Sequence, residues 1–594
     1  MDRQQQQQQQ RRRRQSYVIL PGRVLTGIFE HLFWISMRDN DMSALRLPLG
    51  HRALLSVLSV SHAWRMRAAM LFYRVAVVVA GTGDTSRWAI PTQPTTTTAS
   101  LVVKTNVGLI LDSGYAPKTQ QLLVFSTDTT PPVEMAAAVG VSRFCEFVWP
   151  SITHLYFYHP TLPPPAASIG SPMEAANDQA IAAINSSLAL SMPRLLHVIA
   201  LSNIRDSFGL FALDDLLIAR LSHLRTLTLL SRVSLRLGAE ELPRFLTRLT
   251  IRSSICATNT SSIVSVPRAA AASLTLLDIG PISPDDLWAP FTSGSTDSDF
   301  TNLRDLRLLF CKPRLSLSAD TDDDYGSRHH YHRHRLRHRD RRSSCDSTSA
   351  GSGWPLFPCL TALAVEGYPY DTTYFLENFP RSQLTRLAIR RCTHQMSNFS
   401  LAPFTKLISF NGDVPDYISS DDSSYVEEWV GQTMQADMPT LRSLSLNFGP
   451  DIFVELPARL GLHGLQHLAL NTGLRMSEVE KILLSFNNLR SLRVTITEVL
   501  SRTHEYLSRT TRQHKYLSAE MQERPWLSTS LEDFEVWLLE PSPGRQHRAL
   551  SKIVYMAMRI PSILRIATQR EHVDELRTLC VNLTAVQIRE AASQ

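Results

Sequence analysis

Apolar residues recur at one spacing along most of this chain. Met438-Pro-Thr-Leu-Arg-Ser-Leu-Ser-Leu446 sets out an apolar residue, two others, Leu, two others, Leu, one other and an aliphatic; Phe300 to Leu308 and Phe486 to Val494 repeat it. Aligned on the first Leu-type position, the units fall at Ile152, Leu195, Leu224, Leu246, Leu274, Leu303, Leu360, Leu384, Leu407, Leu441, Leu465, Leu489 and Leu531. Most spacings lie between 22 and 29 residues, with longer ones of 34, 42, 43 and 57, which either hide a degenerate unit or carry an insertion. The end of each unit alternates apolar with polar, as a strand with one buried face requires. Between strands, Ser477 with Glu480 has the spacing of a capping box and precedes Val479, Ile482 and Leu483 at helical spacing; Tyr425 to Val430 repeats that logic. Strand, return helix and strand in fixed order predict a right-handed, parallel array.

The cycle resembles the leucine-rich repeat, a unit of about 20–29 residues that buries its apolar face only by stacking on its neighbours. The fold expected is therefore α/β: an irregular leucine-rich-repeat solenoid of short parallel strands and return helices, over residues 81–594, preceded by a small three-helix unit. That family places Asn or Cys a few residues after the strand to tie successive turns together, whereas Gly449 and Gly473 stand there in this chain. The alternative is that these leucines are ordinary buried strands of another α/β fold. In such a solenoid the polar positions between strand leucines line the concave face, the usual binding surface. Here they are Arg248, Thr250, Arg252, Asp305, Arg307, Arg386, Arg390, His467, Asn471 and Arg493. Six are Arg, which suits an acidic or phosphorylated target segment; the plain alternative is a solvated strand surface.

Upstream, Leu20-Pro-Gly-Arg-Val-Leu-Thr-Gly-Ile-Phe29 puts Pro at a helix start with Val24, Leu25, Ile28 and Phe29 on one face. After a polar interval comes Leu54-Leu-Ser-Val-Leu-Ser-Val-Ser-His-Ala-Trp-Arg65, with Leu55, Leu58, Val60 and Trp64, and then Ala68 to Arg74. Residues 17–80 thus resemble the F-box: Leu20 and Pro21 match its opening pair, Val60 its Val, and Trp64 with Arg65 its Trp-Arg. Arg23 replaces the usual Glu, Ser61 the usual Cys, and the interval is longer by about a dozen residues. The resemblance implies that Leu20, Pro21, Val24, Leu25, Ile28, Leu55, Leu58, Val60 and Trp64 bind a Skp-type adaptor, and a cullin-RING ubiquitin ligase through it. The protein is then a substrate receptor, and ubiquitin transfer belongs to other subunits. The alternative is a repeat scaffold with no ubiquitin role, its first helices capping the array.

Composition narrows the function without naming it. The formal charge of +7 is concentrated: residues 1–14 carry +4 and residues 320–342 carry +2, so the body is nearly neutral and nucleic-acid binding is not expected. Residues 1–16, a Gln tract followed by Arg11 to Arg14, and the Asp/Arg/His-rich insertion at 313–356 are too polar to fold alone. The five His of the insertion read as a solvated tract rather than a metal site. Seven Cys without a Cys-x-x-Cys pair argue for reduced, mostly buried thiols. Val75 to Ala80 is far too short to span a membrane, and an intracellular protein of cytoplasm or nucleus is expected. No nucleophile elbow, phosphate-binding loop or His-Glu-x-x-His is present, so we expect no enzyme, metal or cofactor. The final apolar residues, Ile553, Val554, Met556, Ile560, Leu564, Leu576, Leu579 and Leu583, read as helices closing the far end.

Overall fold

The computed structural model describes residues 35–39, 42–47, 73–81, 102–126, 132–159, 183, 186–202, 223–231, 245–253, 271–282, 300–310, 357–367, 376, 379–390, 400–413, 423–449, 454–457, 460–498, 527–538, 543–579 and 587–590. The chain forms two compact units, Met1–Ala257 and Thr258–Gln594.

In the first unit a separate antiparallel hairpin joins β1 (Ile35–Asp39) to β2 (Met42–Leu47). The main sheet holds β3 (Val75–Gly81), β4 (Val102–Thr105), β5 (Gln121–Ser126), β6 (His154–His159), β7 (His197–Ser202), β8 (Thr226–Ser231) and β9 (Arg248–Ser253). Its order is β4, β3, β5, β6, β7, β8, β9, and every pairing is parallel except that of β4. Helix α1 (Val107–Asp112) follows β4 and α2 (Pro132–Val141) follows β5. The run Val75 to Ala80, 0–1% exposed, is the first parallel strand. A strand buried on both faces has no polar positions to alternate, which is why it reads as a continuous apolar run. This strand falls within the stretch read as helical up to residue 80, and the hairpin falls within the polar interval, so neither matches a purely helical N-terminal unit.

The second unit stacks eleven parallel strands in chain order: β10 (Leu276–Ile282), β11 (Asp305–Phe310), β12 (Ala362–Glu366), β13 (Arg386–Arg390), β14 (Ser409–Asp413), β15 (Ser443–Asn447), β16 (His467–Arg475), β17 (Ser491–Glu498), β18 (Asp533–Leu538), β19 (Arg565–Thr568) and β20 (Gln587–Glu590). Helices α3 (Ser423–Gln435), α4 (Met476–Ser485), α5 (Pro543–Met558) and α6 (Val573–Leu579) connect some of them. Parallel strands alternating with return segments make a repeated, solenoid-like α/β architecture.

All thirteen aligned positions stand two residues before a strand, from Ile152 before His154 to Leu531 before Asp533. The reason is a recurring turn. At eight of the thirteen the N–H of the aligned residue bonds the carbonyl three residues back, as in Leu303 to Phe300, Leu407 to Phe404 and Leu489 to Phe486. It buries both ends before the strand starts. Leu441, Leu444 and Leu446 stack on Leu465, Leu468 and Leu470 and then on Leu489, Leu492 and Val494, all at most 2% exposed. The long gaps hide no unit: β6 pairs directly with β7, β11 with β12, β14 with β15 and β17 with β18.

Two expectations change. The C-terminal stretch contains α5 and α6, but two further strands, β19 and β20, continue the array past Leu531, and Leu564 is exposed at the start of β19 instead of packed in a helix. Helix α4 starts at Met476 with Arg475 as its N-cap and no side-chain cap, so Ser477 lies inside the helix. Glu478 instead accepts the Leu456 N–H, while Val479, Ile482 and Leu483 are buried as their spacing requires. The tail 1–16, the insertion 313–356 and the predicted F-box helices lie outside the described residues, except for Tyr73 and Arg74 at the end of the third. No helix among the described residues is long and apolar enough to cross a membrane.

Candidate binding face

A strand side chain points to alternate faces, and here one face holds the core. The outer positions are the first, third and fifth of each strand, and parallel pairing sets them in rows across the sheet. Burial follows that alternation: on β13 Leu387 and Ile389 are buried while Arg386 and Arg390 are exposed. The six predicted arginines all occupy outer positions. Arg248 is exposed and Arg252 half-buried in the first unit; Arg307, Arg386, Arg390 and Arg493 lie in the second.

Their electrostatics differ from the expected basic surface. Arg307 donates Nε to Asp305 Oδ1 at 3.2 Å and Nη2 to Oδ2 at 3.1 Å, which raises its pKa, and Arg386 Nη2 lies 3.8 Å from the same Oδ2. Arg493 Nε is 2.9 Å from Glu535 Oε1, and its guanidinium lies 5.9 Å from the Trp537 ring. Trp537 Nε1 donates to that same carboxylate oxygen at 2.8 Å. Arg565 pairs with Asp533. At the described outer positions of the second unit, the carboxylates of Asp278, Asp305, Glu366, Asp413, Asp533 and Glu535 face Arg307, Arg386, Arg390, Arg493 and Arg565, so this face is electrically balanced.

The first unit is different. Its described outer positions are Val75, Val77 and Val79 on β3, Gln121 and Leu123 on β5, His154 and Tyr156 on β6, His197 and Ile199 on β7, Thr226, Thr228 and Leu230 on β8, and Arg248, Thr250 and Arg252 on β9. None is acidic. The His154 and His197 rings stack with centroids 4.3 Å apart, and His154 also lies parallel to Tyr156 at 6.2 Å. Partial burial, the neighbouring His197 and Arg74 hold the His154 pKa down to about 4; burial and Arg248 lower that of His197. Both rings are therefore neutral at physiological pH. Thr153 Oγ1 lies 2.8 Å from His154 Nδ1. Next to this pair, Gln121 is 7% exposed and its Oε1 has no hydrogen-bond partner.

The first sheet is fastened at Tyr73 and Arg74. Thr119 Oγ1 donates to the Tyr73 carbonyl at 2.9 Å, the Gln120 N–H to the Arg74 carbonyl at 2.8 Å, and Arg74 Nε to Gln120 Oε1 at 2.6 Å. Tyr73 stacks on Tyr115 at 4.7 Å. The adaptor-contact candidates, Leu20, Pro21, Val24, Leu25, Ile28, Leu55, Leu58, Val60 and Trp64, lie outside the described residues.

Among the described residues no group of three or more His, Cys, Asp or Glu is placed to hold a metal ion. Cys359 is exposed, whereas burial pushes the Cys145 thiol up to about 11. Sequence reasoning missed the counter-charges Asp278, Glu366, Asp533 and Glu535, together with Trp537 and the His154–His197 pair. The signal was available, because the same count from each aligned leucine marks these positions as outer. No protein-family model matches the chain, and no curated protein matches it.

Proposed function

We propose that the protein is a non-catalytic recognition subunit: its repeats hold a protein target, and its F-box-like N-terminal stretch docks a Skp-type adaptor that brings a cullin-RING ubiquitin ligase. The observation that carries this reading is the order Leu20-Pro21, Val60 to Trp64 and then a stacked parallel repeat, in that sequence along one chain. A receptor of this kind acts by position, raising the target's effective concentration near the transferring subunit.

A second reading, a repeat scaffold whose N-terminal stretch only caps the array, is favoured by the fastening of Tyr73 and Arg74 to the first repeat. Affinity purification separates the two. Full-length protein is compared with a Leu20→Ala, Pro21→Ala, Trp64→Ala variant of equal circular dichroism. Adaptor and cullin recovered with the parent and lost with the variant are the expected result; their absence from both leaves the scaffold.

A further inference from the structure

The outer face of the first unit is apolar and aromatic, with a row of hydrogen-bond donors and no described carboxylate, while the second unit's face is charge-balanced. We infer that the outer face of β6 to β9 binds a phosphorylated Ser or Thr in an extended segment of the target, with His154, His197 and Arg248 contacting the phosphate. The inference rests on the reading of the repeats as a target-binding surface.

Three features point to such an occupant. First, the row is built for an anion: His154, His197, Thr226 and Arg248 occupy the first outer position of four consecutive strands in register. At about 4.8 Å per strand the row spans roughly 14 Å, the length of about four extended residues. Second, the two imidazoles are half-buried against each other with cations nearby, Arg74 beside His154 and Arg248 beside His197. This cost is relieved by a dianion, which reverses the repulsion from the arginines and lets each ring take up a proton and donate to a phosphate oxygen. Third, at the covered end of the row the Gln121 Oε1 lacks a donor, and a peptide N–H supplies one. Ile199 and Leu230, half-buried two positions beyond the row on β7 and elsewhere on β8, provide an apolar shelf for a neighbouring side chain. Among the described residues no third His, Cys, Asp or Glu stands with this pair to complete a metal site. A nucleic-acid strand needs cations at successive phosphates, whereas this row holds one arginine, Arg248, at one end, with Arg74 beyond the other.

The test uses full-length protein on a sensor surface. The probes are a degenerate 12-residue peptide library with a central phosphoserine or phosphothreonine, the same library unphosphorylated, and a mixed-sequence single-stranded RNA 12-mer. We expect the phosphorylated library to be retained at least about tenfold more than its counterpart, a difference of about 1.4 kcal/mol. Retention should fall by a similar factor in Arg248→Gln and in a His154→Gln, His197→Gln variant, and stay unchanged in Arg577→Gln, an exposed position on helix α6 away from the strand faces. Arg248 is exposed, so its substitution leaves the fold intact. Equal retention of both libraries, or retention unaffected by Arg248→Gln, overturns the inference, as does RNA binding that replaces peptide binding at this row. Adaptor recovery is read separately: phosphopeptide binding without adaptor leaves this site standing and removes the ligase reading, and adaptor without phosphopeptide binding does the reverse.

Discussion

Asn106 shows how much one side chain can settle. Strand β4 pairs with β3 only from Val78 to Gly81, which would leave the backbone of Val75 to Val77 open at the sheet edge. Asn106, 1% exposed, closes it: Nδ2 donates to the Val75 carbonyl at 2.9 Å, and Oδ1 accepts the Val77 N–H at 2.8 Å. The side chain thus imitates one further residue of a strand, and a covered edge resists pairing with other chains. Asn106→Ala leaves two buried backbone groups unpaired, at about 1–3 kcal/mol each. The expected result is a clear drop in the urea midpoint of the first unit and greater aggregation, read by denaturation and light scattering. His154 gives a pH test at the same scale. Its pKa is about 4 in the folded protein against 6.5 ordinarily, so the unfolded chain binds more protons between those values. The stability held by the neutral ring is complete above pH 6.5 and declines as pH falls through 6.5 toward 4; His197, shifted the same way, adds to it. His154→Gln should flatten the fall of melting temperature over that range.

At the scale of the element, the spacing of leucines located every aligned strand, because the turn three residues long and the two inward positions are both apolar and both periodic. What ties neighbouring strands together was less legible. Gly449, standing where the family has a tying Asn or Cys, pointed to an irregular array, yet Asn447, two residues earlier at the strand's last outer position, makes a tie. Thr495 Oγ1 donates to Asn471 Oδ1 at 3.0 Å, Asn471 Nδ2 to Asn447 Oδ1 at 2.6 Å, and Asn447 Nδ2 to Asp413 Oδ1 at 3.0 Å. Four strands are joined by one chain of donors that ends on a carboxylate, and each bond polarises the next. Gly449 serves a different purpose: its φ of 90° lets the chain leave β15 in a conformation that a Cβ disfavours. Polar ties depend on which residue meets which across the stack, and their partners lie 24 or 34 residues away, so no local pattern announces them. The same reason kept the charge balance of Arg307, Arg386 and Arg493 out of view. Asn447→Asp tests the ladder. It replaces a donor to Asp413 with a second carboxylate, so the variant should be less stable at pH 7 and recover part of the loss as pH falls toward 4 and one acid protonates. Thermal melts at the two pH values measure it.

At the scale of the whole chain, each described strand of the two sheets pairs only with its sheet neighbours, and pairing reaches far along the sequence only across the long gaps and between β3 and β5. Stability in such an array is a sum of unit and nearest-neighbour terms, so damage to one unit should stay near it. Leu444, 1% exposed between Phe410 and Leu468 on the neighbouring strands, is a suitable place to apply it. Leu444→Ala removes about 2–5 kcal/mol of packing. Hydrogen exchange followed by mass spectrometry on the full-length variant should show faster exchange in β14, β15 and β16, a smaller change in β13 and β17, and none in β6 to β8 of the first unit. A uniform loss of protection across all strands would show that the array unfolds as one cooperative body, and neighbour-limited coupling would then fail for this chain. A local loss gives the physical basis for separate target-binding segments, since a repeat that yields to a ligand on one row need not disturb the rows beyond its neighbours.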